Sequence, residues 1–164
     1  MERPEILLRT TIVEEFAHKS THITLDEIIK ALQNWPGVWW NAYSQKYGIE
    51  IKKFPYEARN GFFIDVDKRM ATHRFSSSGI VRRDELFEEK EYEKIVLKPY
   101  QKLWYDLSDA NRCYAVLITS IRKLSTPINV EDFGLFNSWG RVSPQDQFHR
   151  PRVIKASWND EEIK

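Results

Sequence analysis

Cysteine is almost missing from this chain. The single thiol, Cys113, excludes an internal disulfide framework. Set among apolar neighbours, it is expected to be a buried, inert side chain. One cysteine and four histidines, with no Cys pair and no His/Cys cluster, give no structural zinc signature, and neither a metal nor a cofactor is expected. Excess charge of one sign is lacking as well. The 25 Lys and Arg residues nearly balance 24 Asp and Glu, so at a net +1 no global field draws the chain onto phosphates or a membrane surface. Only a local basic face stays open. No apolar run approaches the length of a membrane span. Gly-rich phosphate loops, the dinucleotide fingerprint and the nucleophile elbow are absent, as is any repeat of solenoid or propeller period. The opening MERPEILLRT places acidic residues where a secretory leader needs a basic head and an apolar middle, so an intracellular, cytoplasmic location is expected.

What the chain does have is length, apolar content and aromatic rings. With 164 residues, 41% of them apolar, it is able to bury a core as one domain or as a domain with an extension. Six Trp, seven Tyr and nine Phe are too many rings to leave in water, so most belong to the core. An exposed cluster of them would mark an interface.

Spacing predicts a helix over residues 4–19, where Ile6, Leu7, Thr10, Val13 and Phe16 recur on one side. A second helix is predicted over 25–33, with Thr24 as N-cap and Glu27 completing a capping box, stopped by Asn34, Pro36 and Gly37. A third is predicted over 38–47, with Gly48 as its stop. Residues 49–56 and 62–66 alternate, and Asn60-Gly61 between them reads as a hairpin turn. The stretch 68–81 has no sustained period, and its run Ser76-Ser77-Ser78-Gly79 reads as a loop; it is the best candidate boundary, dividing a module at 1–67 from a helical extension at 68–164 that is either separate or part of the same domain. Residues 84–107 are charge-dense and read as helical up to Pro99, with a strand at 94–97 as the alternative. Ser108 then caps a helix over 109–124, with Arg122 and Lys123 in its last turn and Pro127 beyond it. An irregular aromatic segment around Phe133, Leu135, Phe136 and Trp139 is expected to pack over the core, followed by a short strand at Arg152–Lys155.

The order helix, turn, helix, hairpin in THITLDEIIKALQNWPGVWWNAYSQKYGIEIKKFPYEARNGFFIDV resembles the winged helix-turn-helix superfamily over residues 4–66. That resemblance implies an α+β fold, with a winged-helix-like N-terminal module and a mainly helical C-terminal half. It also implies a non-enzymatic nucleic-acid-binding protein, such as a transcriptional regulator, whose second helix enters the major groove. Asn41, Ser44, Gln45 and Lys46 would then read bases, while Lys52, Lys53, Arg59 and Asn60 of the hairpin would hold phosphates of DNA or RNA.

Other readings stay open beside it. Balanced charge and surplus aromatics also suit a protein-interaction module, an inhibitor or adaptor, with Trp39, Trp40, Phe136 and Trp139 as exposed anchors. Trp39 and Trp40 are adjacent, so one helix face does not bury both. A metal-dependent nuclease would use Asp65, Asp67 and Lys68 with Glu88, Glu89 and Lys90, although Glu and Lys runs on a helix more commonly form a solvated face. A basic C-terminal group, Arg141, His149, Arg150, Arg152 and Lys155, is interleaved with Trp139, Phe148 and Trp158, which would stack on bases. His18 and His22 do not share a predicted helix face, and His73 reads as a solvated loop histidine.

Overall fold

The computed structural model describes residues 4–16, 19–44, 59–82, 113–135, 140–146 and 152–155. These residues build a mainly β protein, with one α-helix and a sheet curled into half a barrel. No helix among them is long and apolar enough to cross a membrane. The strands are β1 (Pro4–Arg9), β2 (Thr11–Phe16), β3 (Lys19–Thr24), β4 (Val38–Ser44), β5 (Asn60–Asp65), β6 (Met70–Arg82), β7 (Cys113–Asn129) and β8 (Arg152–Lys155). Helix α1 (Leu25–Leu32) lies between β3 and β4.

Six strands form one sheet in the order β4-β7-β6-β5-β1-β8, and β2 with β3 form a separate hairpin. The β1/β5 pair is parallel, with Ile6 beside Gly61 and Leu8 beside Phe63, and the other ladders are antiparallel. Strands from either side of residue 68 therefore share one sheet.

This architecture overturns the winged-helix resemblance and the α+β class with a helical C-terminal half. The predicted helix over 4–19 is β1 and the β2/β3 hairpin, in a stretch where β-branched Thr10, Thr11, Ile12 and Val13 are stiff at χ1 and suit a pleated surface. The predicted recognition helix is β4 as far as Ser44. The helix expected over 109–124 is β7 from Cys113 onward, where Val116, Ile118, Thr119 and Ile121 are again β-branched. Ser76-Ser77-Ser78-Gly79 is the middle of β6, not a loop. In this run the register shifts at Ser77, whose hydroxyl donates to the Gly79 carbonyl and accepts from its N–H, so the turn-forming residues make a bulge inside a long strand. The predicted segments 49–56 and 84–107 lie outside the described residues.

Two expectations hold. Helix α1 starts at Thr24, whose hydroxyl accepts the Glu27 N–H, and carries Asp26 and Glu27 in its first turn and Lys30 in its last. The short strand at Arg152–Lys155 is β8 on the sheet edge.

Both faces of the central strands are covered, which explains why β5 reads as a continuous run, Gly61 to Ile64, of buried residues. On one face Leu7, Phe62, Ile64, Ala71, Leu124 and Ile154 pack with Val130, Phe133 and Val142 of the segment that follows β7. Phe133 stacks at 5.0 Å on Phe62, as expected for an irregular segment laid over the core. Arg69, at φ 55°, closes the β5/β6 turn and donates through its guanidinium to the Ser143 and Asp146 carbonyls, while its own carbonyl accepts from Val130 N. That turn thereby fastens the covering segment to the sheet.

On the other face Phe63 meets Trp40 edge-on and Phe75 at a tilt, each with centroids 5.0 Å apart. Each such ring pair is worth about 0.5–1.5 kcal/mol beyond the area it buries. Helix α1 contributes buried Leu25 and Ile28. Gly61 is not a turn residue. It lies in β5 because a Cβ there would sit 2.2 Å from the Ile6 carbonyl oxygen and 2.3 Å from Phe75 Cζ. A glycine inside a strand marks a close approach of this kind.

Candidate functional site

Of the eight predicted nucleic-acid contacts, four lie among the described residues. Asn41 and Ser44 belong to β4. Gln45, Lys46, Lys52 and Lys53 lie outside the described residues. Arg59 is exposed immediately before β5, with its carbonyl accepting from Ser77 N at 2.8 Å. Asn60 opens β5 half-buried, its side-chain oxygen 3.4 Å from the Ser76 hydroxyl that donates to it. β4 and β5 are separated by β7 and β6, roughly 14 Å across three ladder spacings.

The aromatic anchors also look different in the fold. Trp39 and Trp40 alternate to opposite sides of β4, and both rings are buried, Trp40 against Phe63. Adjacent bulky rings suit a strand covered on both faces, a solution unavailable on one helix. Phe136 and Trp139 lie outside the described residues. The exposed large apolar side chain among the described residues is Trp35, at 45% exposure, within the predicted helix stop.

Of the residues considered for a nuclease, Asp65, Asp67 and Lys68 meet at the β5/β6 turn. Asp65 Oδ1 accepts from the N–H groups of Asp67 and Lys68 at 3.0 and 3.1 Å, which shapes the β5/β6 turn. Among the described residues no three His, Cys, Asp or Glu side chains come together as a metal site. Glu88, Glu89 and Lys90 lie outside them. Of the C-terminal basic group, Arg141 is exposed and donates to the Asp132 carbonyl, and Arg152 and Lys155 belong to β8. His149, Arg150, Phe148 and Trp158 are outside the described residues, as is His18, while His22 belongs to β3.

Charge inside the protein has a structural explanation. Glu5 and Arg74 form a buried two-pronged ion pair at 2.7 and 2.9 Å, and the guanidinium lies 4.5 Å over the Phe62 ring. His73 is a strand residue, not a loop one, opposite Phe63 on one side and Lys123 on the other. Burial and the neighbouring Lys123 charge hold its imidazole below the ordinary 6.5, against an opposing pull from Asp26 of α1. The Thr72 hydroxyl is 2.9 Å from its Nδ1.

The feature that nothing inside the described protein uses is an edge of β7. On one flank β7 pairs with β6 along most of its length. On the other flank β4 pairs with residues 113–118 only, ending at Val38 opposite Ile118. The chain leaves that flank at Gly37, Pro36 and Trp35. Proline has no N–H to donate, so the ladder does not continue backward through Pro36. Gly37 is itself pressed on β7, a Cβ there falling 2.8 Å from Leu117 Cδ1.

At the far end, β6 passes from Ala71 to His73 while β7 passes from Ile128 to Lys123, so four residues of β7 stand against one of β6. This bulge, which includes Pro127, ends the regular ladder. Between Pro36 and the bulge lie residues 119–123, Thr-Ser-Ile-Arg-Lys, held by β6 on one flank and with no strand on the β4 flank among the described residues. Thr119, Ser120, Arg122 and Lys123 are exposed. Neither Arg122 nor Lys123 forms a salt bridge among the described residues. Trp35 is three residues before Val38, within about 11 Å of it by chain reach. No protein-family model, curated protein or solved structure matches the chain.

Proposed function

We propose that this chain is a non-enzymatic, intracellular binding protein that recognises another protein by taking an extended segment of it as an additional strand beside β7. The observation that carries this reading is the window at 119–123, whose β4 flank has no partner among the described residues, bounded by Pro36 and by the β6/β7 bulge. A strand edge presents a row of N–H and C=O groups that a second chain satisfies by continuing the ladder, while neighbouring side chains select which chain does so. Five residues match the commonest strand length. Exposed Trp35, on the turn that leads from α1 into β4, is the kind of aromatic side chain that such interfaces favour.

The test is affinity capture from extract of cells expressing the protein, with and without nuclease treatment, with edge-blocked variants as controls. Successive N–H groups of a strand point to opposite flanks, so of Ser120→Pro and Ile121→Pro one breaks the β6 ladder and the other blocks the window. The variant that keeps the native melting temperature is the blocked one. A protein retained by the parent chain and lost from that variant supports the reading. Material that disappears on nuclease treatment would instead favour the nucleic-acid expectation, through exposed Arg59, Arg122 and Lys123. Equal retention by the blocked variant would contradict any role for the edge.

A further inference from the structure

We infer that the segment accepted at the β7 window is acidic, with two consecutive carboxylate residues seated opposite Arg122 and Lys123; this rests on the strand-docking reading above. Adjacent residues of a strand point to opposite faces of the sheet, so Arg122 and Lys123 place one cation on each side of the open edge. Residues 119–129 contain no acidic side chain, and the nearest in sequence, Glu131 and Asp132, lie beyond the strand in the 3-10 turn. An incoming strand with carboxylates at two successive positions meets both cations at once, one above the sheet and one below. Cross-strand pairs of opposite charge stabilise such a ladder, and like charges oppose it.

The same pair argues against a second copy of this chain as occupant. Two windows paired across a two-fold axis would bring together two copies each of Arg122 and Lys123 with no carboxylate from either window. Cations on an exposed edge are a common guard against self-pairing. Here they exclude the chain's own edge and select an acidic one.

The experiment titrates the full chain with three blocked hexapeptides, Thr-Val-Glu-Glu-Val-Thr and its Gln-Gln and Lys-Lys counterparts, and follows the backbone amide resonances of residues 119–123 and Trp35. The Glu-Glu peptide is expected to move these resonances and to bind about tenfold more tightly than the Lys-Lys peptide. The preference should shrink with salt and reverse in the Arg122→Glu, Lys123→Glu double variant. The milder Arg122→Gln, Lys123→Gln variant, with the salt series on the parent chain, keeps the test decisive if charge reversal disturbs folding. Equal binding of all three peptides at the window would overturn the acidic preference and leave the docking edge standing. No perturbation of the window by any peptide at millimolar concentration would overturn both. So would a concentration-dependent shift of these resonances without peptide, which would identify a second copy, or a larger response to a single-stranded oligonucleotide.

Discussion

Replacing Gly61 with alanine should destabilise the protein far more than a one-carbon addition ordinarily does. The new Cβ would lie 2.2 Å from the Ile6 carbonyl oxygen and 2.3 and 2.5 Å from Phe75 Cζ and Cε1. Neither neighbour is free to yield. Ile6 is the partner of Gly61 in the parallel β1/β5 ladder, and the Phe75 ring is buried against Phe63. Overpacking of a rigid core costs about 1–3 kcal/mol or more, and two fixed contacts place this case near 3. The gain of about 0.4–1 kcal/mol from a less flexible unfolded chain does not offset it. At roughly 2–4 °C per kcal/mol for a chain of this size, the melting temperature should fall by about 6–12 °C. Circular dichroism melts read this directly. Gly79→Ala is the control, because nothing lies within 4 Å of a Cβ there, and its melting temperature should stay level or rise slightly. A Gly61→Ala protein melting within about 1 °C of the parent, or a Gly79→Ala protein falling as far, would refute the reasoning.

Two further predictions concern charged groups inside the sheet. Glu5→Gln should cost about 3–5 kcal/mol in urea unfolding by leaving the Arg74 guanidinium buried without its carboxylate, whereas Glu5→Leu combined with Arg74→Met should be close to neutral; a single variant within 1 kcal/mol of the parent would count against a buried pair. His73 has a lowered folded pKa, so the unfolded chain binds its proton first as pH falls. The contribution of neutral His73 is fully present above the ordinary 6.5 and is lost as pH drops from there through the folded value. His73→Gln should therefore flatten the decline of the urea midpoint between about pH 7.5 and 5, and identical pH profiles for the two proteins would contradict this assignment.

Local signals in the sequence were readable where the physics is local. The cap at Thr24, whose hydroxyl accepts the Glu27 N–H, and the stop before Gly37 define α1. Alternation marked Phe62 and Ile64 as one face of a strand, and the short strand at Arg152–Lys155 was legible too. Failure came where helical spacing and strand alternation compete in apolar stretches. Residues 4–16 and 116–124 place apolar groups at i, i+3 and i+4 and also contain β-branched runs, and the ladders of β1 with β5 and of β7 with β6 decided between them. Asn60-Gly61 carries the strongest turn signature in the chain, yet the turn falls at residues 66–69. The reason is steric: Gly61 is needed where Phe75 crosses β5, which no local pattern reveals. The window was invisible for a related cause, since an open edge is defined by where β4 ends rather than by any residue in β7. Arg122 and Lys123 looked like cations of a final helical turn, and on a strand the same two residues fall on opposite faces.

The most direct measurement of the central claim is amide hydrogen exchange, resolved by residue, on the isolated protein. An open edge predicts alternation across 119–123: amides directed at β6 exchange slowly and those directed at the empty flank exchange quickly, while residues 116–118, held between β4 and β6, are protected throughout. Uniform slow exchange from 116 to 123 would mean that the flank is already occupied, and the binding edge would have to be abandoned.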